Sequence, residues 1–195
     1  RRGSPADASD ERAEGRLAPR GGHTRRASGS RVAGCHTGGV TAGVAFALDG
    51  VVLERDGQRV LDGVPDRISW GATTAIVGPS GSGKSTFLRL LNRFEDPTAG
   101  RVRLDGEDRV DLDVHELRRR VGLVAQRPTM LSSTVGAELR VGRADLDDPA
   151  ADGLLERVAL TGLPQERATA TLSGGEQQRL ALARALAVGP QILLL

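Results

Sequence analysis

Nine residues near the middle of the chain read Gly78-Pro79-Ser80-Gly81-Ser82-Gly83-Lys84-Ser85-Thr86. They match the pattern G-x-x-x-x-G-K-[ST] at every fixed position, and we call residues 78–86 the phosphate loop. The residues before them, 74–77, have the apolar character of a buried strand, and residues 84–94 after them follow an amphipathic helical pattern. Because strand, glycine-rich turn and helix are the context that this pattern requires, residues 78–86 are predicted to bind a phosphate chain.

The chemistry of the phosphate loop follows from its residue types. Glycines let backbone N–H groups curl around an anion, and the N-terminus of the following helix adds partial positive charge. Lys84 is expected against the β- and γ-phosphates, and the Ser85 hydroxyl is a candidate Mg²⁺ ligand. Lys84 is the only lysine in a chain with 26 arginines, which favours a role for its compact ammonium over a chance lysine in a turn.

A second pair of glycines lies in residues 172–179, which we call the signature segment and which read Leu-Ser-Gly-Gly-Glu-Gln-Gln-Arg. Ser173 and Glu176 have the spacing of a helix capping box, which explains them without any ligand. Gly174 and Gly175 are not explained in this way, because glycine in a helix costs up to about 1 kcal/mol relative to alanine. They are explained if an anion approaches the backbone at the helix N-terminus. A second anion site beside the phosphate loop predicts a nucleotide shared between two copies.

The two segments, in this order, resemble the phosphate loop and the signature motif of ATP-binding-cassette (ABC) ATPases, and the likeness covers about residues 51–195. The resemblance implies ATP and Mg²⁺ as cofactors. It also implies that Ser173, Gly174 and Gly175, together with Glu176, bind the γ-phosphate of ATP held by an opposing subunit.

The same resemblance gives a role to Gln126, which follows the apolar run 121–125. It matches the family's Q-loop glutamine, which contacts Mg²⁺ and the attacking water. The implied catalytic residues are then Lys84 and Gln126, and the implied metal ligands are Ser85 and Gln126. Judged by its own sequence context alone, Gln126 is equally well a polar residue at the end of a strand.

Alternating apolar runs and helical patterns from Ala45 onward predict an α/β domain over residues 45–195. Strands are predicted at 47–53, 73–77, 102–104, 121–125 and 191–195, and helices at 84–94, 149–159 and 174–188. The resemblance implies a P-loop NTPase of ABC type, with a mixed sheet, flanking helices and a helical subdomain. That subdomain is placed at about residues 127–171, which contain no strand pattern.

Residues 1–44 are rich in Gly, Ser, Arg and Ala and are predicted to be a disordered basic tail, because they cannot bury enough apolar surface to offset the entropy of ordering. A solvated leader is preferred over a segment that binds anionic lipid, and no nucleic acid partner is expected. No apolar run in the chain approaches the roughly 20 residues that span a bilayer. The single Cys35 suits a reducing cytoplasm.

The function implied by the resemblance is the ATP-hydrolysing subunit of a membrane transporter. Such a subunit is cytoplasmic, peripheral on the inner face of the cell membrane, and paired with a second nucleotide-binding domain and with transmembrane permease subunits. Two alternatives remain: a truncated or regulatory nucleotide-binding module without turnover, and a soluble ABC ATPase of translation or DNA repair. The soluble proteins often carry two cassettes or a long coiled-coil insertion, and neither pattern occurs in this sequence.

Two departures from the family pattern carry expectations of their own. Asp56 stands where an adenine-stacking aromatic usually precedes the glycine matched by Gly57, so base selectivity is expected to be weak unless Arg55 stacks instead. The sequence ends at Leu195 in what resembles the Walker B strand, before the Asp, the Glu and the later switch His. His115 is interpreted as an exposed helix residue, and the 195 residues alone are expected not to hydrolyse ATP.

Overall fold

The structure is a computed structural model that describes residues 33–37, 43–62 and 64–195. Its strands are β1 (Ala33–Thr37), β2 (Val44–Arg55), β3 (Gln58–Leu61), β4 (Arg67–Ser69), β5 (Thr74–Val77), β6 (Ala99–Leu104), β7 (Glu107–Asp108), β8 (Val121–Leu123) and β9 (Ile192–Leu194). Its α-helices are α1 (Lys84–Leu91), α2 (Val114–Arg120), α3 (Val135–Leu139), α4 (Asp148–Arg157) and α5 (Gly174–Ala187), and a 3₁₀ turn spans Thr169–Thr171.

The largest sheet is antiparallel and is built around β2. Its strands run in the order β3-β2-β6-β7, and β4 also pairs with β2. Apolar residues of β2 face the core and lie opposite apolar residues of β6, with Phe46 paired to Leu104. The register of β2 against β6 shifts between Asp49 and Val52, where Gly100 comes close to β2. A Cβ at Gly100 would lie 2.4 Å from the carbonyl oxygen of Gly50. Only glycine fits this approach of two backbones.

Two smaller sheets position the candidate site. β8 and β9 are parallel neighbours, with Val121 paired to Ile192 and Leu123 to Leu194. β5, which leads into the phosphate loop, pairs with β1 in antiparallel orientation. Strand β1 lies within the segment expected to be a disordered tail, so the structure differs from that expectation at Ala33–Thr37. The rest of that tail, up to residue 42, lies outside the described residues.

Buried side chains form two separate hydrophobic clusters. The first core collects apolar residues of the antiparallel sheet, α1, β8 and β9. The second core collects residues of α3, α4 and α5, including Leu139, Leu155 and Leu180. The segment expected to be a helical subdomain, about 127–171, thus contributes helices to the second core, which α5 completes. Each sheet of the described residues is either antiparallel or parallel, so the expected single mixed sheet does not form there. The α/β content, the flanking helices and the helical second core agree with the predicted fold class.

Most element boundaries lie within a few residues of their predicted positions. The clearest difference is α1, which ends at Leu91 instead of residue 94. Arg93 there has φ 58, a left-handed conformation that stops a helix. Short elements without a long periodic pattern received no predicted bounds, namely β3, β4, β7, α2 and α3. His115 is exposed on α2, as expected.

Candidate nucleotide-binding site

The phosphate loop connects the end of β5 to the first residue of α1, as the sequence predicts. The Lys84 ammonium lies in its concavity, where Nζ donates to the carbonyl oxygens of Gly78 at 2.9 Å and Pro79 at 2.7 Å. A longer contact of 3.4 Å joins it to Oγ of the buried Ser82. The loop backbone therefore curves around a single positive charge, and that charge lies where an anion would meet it.

The N-terminus of α1 is left open towards the same concavity. Its N-cap is Gly83, with φ 85, and no side chain accepts a hydrogen bond from the first turn. A Cβ at Gly83 would lie 2.7 Å from Leu61 Cδ2 and 2.8 Å from the Val60 carbonyl oxygen, both on β3. An uncapped helix N-terminus beside an ammonium is a ready anion site, so these residues fit a phosphate chain.

The expected metal ligands are both exposed. Ser85 lies in the first turn of α1, and Gln126 follows β8 by three residues. Within the described ranges no group of three or more His, Cys, Asp or Glu side chains could hold a metal ion. A magnesium ion here would therefore rely on the two expected ligands, Ser85 and Gln126, together with phosphate oxygens and water, as Mg²⁺ commonly binds beside nucleotides.

The signature segment opens α5 with the capping box that the sequence predicts. Ser173 Oγ accepts from Glu176 N at 3.3 Å, and Ser173 N donates to Glu176 Oε2 at 2.8 Å. Hydrogen bonding to the Glu176 carboxylate, from the Ser173 backbone N–H first and from the Ser173 side chain second, lowers the pKa of Glu176, with a further contribution from nearby Arg167. Glu176 therefore stays ionised and fixes the first turn of α5.

The two glycines beside this cap are not required by the packing of the chain itself. Gly174 and Gly175 are exposed, and a Cβ at Gly174 would meet no atom within 4 Å. At Gly175 the nearest atom would be the Arg179 guanidinium, 3.5 Å away. Both positions therefore have room for a side chain, and the glycines leave the helix backbone bare to an approaching group.

The structure brings some predicted site residues together and keeps others apart. Gln178 on α5 donates through Nε2 to the Ala125 carbonyl oxygen at 3.3 Å, so the residue before Gln126 contacts the signature helix. The phosphate loop instead approaches Val60 and Leu61 of β3 at Gly83, and these two residues belong to or pack against the first core. In the part of the chain that the structure describes, no recorded hydrogen bond joins residues 78–86 to residues 173–176.

The region expected to contact the base is a tight turn. Asp56 and Gly57 have φ 52 and 72 and reverse the chain between β2 and β3. Arg55 is held by Glu95, whose two carboxylate oxygens accept at 2.9 and 3.0 Å. Its guanidinium is thus already engaged, although half of its side chain remains exposed.

Sequence reasoning missed two polar residues close to Gln126. Glu138 on α3 is fully buried and pairs with Arg184 on α5. The short α3 gave no periodic signal, since its five residues span little more than one turn. Glu138 lies in an otherwise small and apolar run, directly after Ala137, whose backbone N–H donates to the capping Thr134. Nothing in that run indicated a distant partner.

Together, the strand, the phosphate loop and the open helix N-terminus define a nucleotide-binding domain of the P-loop class. Residues 61–195 match the ABC transporter family, and the chain belongs to that family. In the described residues no helix is long and apolar enough to cross a membrane.

Named relatives agree with this assignment. The chain is 46% identical over 144 residues to ABC transporter I family member 17 of Arabidopsis thaliana, a match that covers 72% of this chain and 55% of that protein. It is 42% identical to Protein STAR1 of Oryza sativa subsp. japonica, covering 73% of this chain and 42% of the relative. The chain therefore spans about half the length of these curated relatives.

Two solved structures share the fold. A bacterial Atm1-family ABC exporter with ATP bound superimposes with a TM-score of 0.72 at 33% identity, over 80% of this chain and 30% of the exporter chain. The structure of cbiO1 from Clostridium perfringens, part of the transporter complex cbiONQ, gives a TM-score of 0.66 at 27% identity, over 77% of this chain and 64% of that one.

Proposed function

We propose that this chain is the ATP-binding part of a membrane transporter in which ATP hydrolysis is coupled to solute movement. The observation that carries the proposal is the Lys84 ammonium inside a glycine loop that continues into the uncapped N-terminus of α1. The family supports ATP as the nucleotide, and the solved exporter with ATP bound supports the same ligand for this site.

Each residue of the proposed site has a distinct task. Lys84 would exchange its two loop carbonyls for phosphate oxygens, which offer a charge-assisted bond in their place. The backbone N–H groups of 84–86 would hold the same phosphates, and the Ser85 hydroxyl would hold Mg²⁺. Bound Mg²⁺ would neutralise phosphate charge during transfer to water. Gln126 would orient that water from the end of β8.

The central test is the exchange of Lys84 for alanine. Loss of one charge-assisted contact should weaken Mg-ATP binding about ten- to a hundredfold, as measured by titration calorimetry. Arg89, an exposed basic residue on the same helix, provides the matched control, and Arg89→Ala should leave the affinity within about twofold. Equal affinities of Lys84→Ala and wild type would contradict the proposal.

We further propose that two nucleotide-binding domains face each other, with Ser173, Gly174, Gly175 and Glu176 of one closing on ATP held by the phosphate loop of the other. The bare backbone at Gly174 and Gly175 supports this arrangement, because nothing in the chain itself needs those glycines. As in other transporters of the family, the dimer would associate with transmembrane permease subunits at the cytoplasmic face of the membrane.

Complementation between two defective copies tests the facing arrangement. Lys84→Ala removes a phosphate contact, and Ser173→Arg blocks the signature segment. Each variant alone should fail to dimerise when Mg-ATP is added, whereas an equimolar mixture should recover dimers with one intact site. Sedimentation velocity measures the recovery. If the mixture stays monomeric while wild type dimerises, the two segments do not act across an interface.

We also propose that a polypeptide of these 195 residues binds ATP without turning it over, which corresponds to the nucleotide-binding module considered above. Among the described residues, Lys84 donates to two loop carbonyls and to Ser82, and none of its partners is a carboxylate that could act as a base towards water. Phosphate release should match that of Lys84→Ala. Turnover that depends on Lys84 would refute this proposal.

A further inference from the structure

An ion pair between a fully buried glutamate and a partly buried arginine connects the loop after Gln126 to the helix that carries the signature segment. We call residues 126–132 the glutamine loop. Glu138 on α3 has no exposed surface, and its Oε1 accepts from the guanidinium of Arg184 on α5. The other oxygen, Oε2, accepts from the backbone N–H groups of Leu131 at 2.8 Å and Ser132 at 2.7 Å. One carboxylate therefore holds both the loop and the helix.

Arg184 contacts the glutamine loop directly as well. Its NH1 group donates to the Thr129 carbonyl oxygen at 3.1 Å, in addition to its bond with Glu138. Gln178, two turns nearer the start of α5, donates to the Ala125 carbonyl oxygen at 3.3 Å. Helix α5 is thereby joined to residues on both sides of Gln126, and its own first turn is the signature segment.

The full burial of Glu138 argues against a purely stabilising role, although the Arg184 side chain remains 22% exposed. Charges removed from water lose hydration energy that their mutual attraction repays only in part, so an apolar pair of similar size is often as stable. Here the carboxylate is fully buried, although apolar residues of the second core surround α3 and α5. An apolar pair would fill that core equally well but would leave the two loop N–H groups without an acceptor.

We propose that Glu138 and Arg184 are positioning residues that hold the glutamine loop in register with the signature helix, so that Gln126 and Ser173 keep a fixed mutual placement. Neither residue touches nucleotide. This inference rests on the proposed function in one respect, namely that Gln126 and Ser173 take part in nucleotide binding. The structural part of the inference does not depend on that function. It states that removing Arg184 from α5 weakens the hydrogen bonds made by the backbone N–H groups of Leu131 and Ser132.

Amide hydrogen exchange of the whole chain tests this transmission. Arg184→Met removes the guanidinium but leaves Glu138, the direct acceptor of both amides, in place. The amides of Leu131 and Ser132 should nevertheless exchange about ten times faster or more, because their acceptor loses its own anchor. The matched control is Arg179→Met, which removes an exposed arginine from the same helix and should leave both amides unchanged.

Two further variants separate positioning from stability. Arg184→Lys keeps a positive charge and should restore part of the protection. The double variant Glu138→Gln, Arg184→Met removes both charges. Its urea unfolding midpoint should return towards the wild-type value, whereas the amides of Leu131 and Ser132 should still exchange faster than in wild type. The amide of Phe87, in the first core, serves as the reference for global unfolding.

Several outcomes would overturn the inference. One is that the amides of Leu131 and Ser132 exchange equally fast in Arg184→Met and Arg179→Met, and another is that the Phe87 amide accelerates as much as they do. The others are that Arg184→Lys restores no protection, or that the double variant exchanges at the wild-type rate. Titration of the same samples with Mg-ATP keeps the proposals separate. A wild-type chain that fails to bind Mg-ATP refutes the proposed function and leaves the exchange criteria as they are.

Discussion

Replacing Gly83 by alanine should destabilise the protein through a contact with β3, even without nucleotide. The added Cβ would lie 2.7 Å from Leu61 Cδ2 and 2.8 Å from the Val60 carbonyl oxygen. The Leu61 side chain is fully buried in the first core and cannot turn away freely, and the Val60 oxygen belongs to the backbone. Either β3 or the start of α1 must therefore shift.

The size of the effect follows from two separate costs. Gly83 has φ 85, and a left-handed conformation costs an L-residue roughly 1–2 kcal/mol. Forcing an extra methyl group into packed surroundings adds roughly 1–3 kcal/mol. The free energy of unfolding should fall by about 2–5 kcal/mol, a large part of the roughly 5–15 kcal/mol of an ordinary domain.

Gly81→Ala isolates the contact from the backbone strain. Gly81 lies in the same loop with φ 79, but a Cβ there would meet nothing within 4 Å. Only the cost of the left-handed backbone applies to Gly81→Ala. In urea titrations without nucleotide, the free energy of unfolding of Gly83→Ala should therefore be roughly 1–3 kcal/mol lower than that of Gly81→Ala, with unchanged m-values. If the two variants lose the same free energy of unfolding within about 0.5 kcal/mol, β3 can move to accept the methyl group without cost, and the packing argument is refuted.

Further predictions concern buried charge, acid stability and base selectivity. Arg109 is 1% exposed and supplies three hydrogen bonds near the end of α1, so Arg109→Met should lower the free energy of unfolding by about 2–4 kcal/mol. The exposed Arg59→Met should have a clearly smaller effect in the same urea titration. Asp113 caps α2, and hydrogen bonds from the Glu116 and His115 N–H groups lower its pKa. Its contribution is complete above the ordinary carboxyl pKa of about 4 and is lost as pH falls through the lowered value, so Asp113→Asn should flatten thermal stability against pH in that acidic window. Competition titrations should show less than about a hundredfold preference for ATP over GTP, because Asp56 stands in the turn and Glu95 already engages Arg55.

The phosphate loop and the capping box of α5 were predictable from sequence, because both depend on contacts between near neighbours. A helix N-terminus needs a glycine or a capping side chain within a few residues, and Gly83 and Ser173 supply these locally. The apolar periods that locate β2, α1 and α5 are likewise local properties of the chain. The family's motifs then linked these segments to nucleotide binding before any spatial arrangement was known.

Pairing between distant segments was not predictable in the same way. The parallel match of β8 with β9 and the antiparallel match of β1 with β5 join segments far apart in the chain. A composition poor in apolar residues indicated disorder for Ala33–Thr37, yet backbone hydrogen bonds to a strand edge do not depend on side-chain type. Partner choice by a strand edge is a property of the assembled sheet.

The same distinction separates the two parts of the candidate site. The phosphate loop is one continuous segment, whereas the surroundings of Gln126 are assembled from β8, α3 and α5. Glu138 and Arg184 are 46 residues apart, and each taken alone is an ordinary charged residue of a helix. Their partnership exists because the second core packs α3 against α5 and buries the Glu138 carboxylate, which then needs a cation as its partner. Local sequence determined where a phosphate site is predicted, and tertiary packing decided which side chains join the glutamine loop to α5.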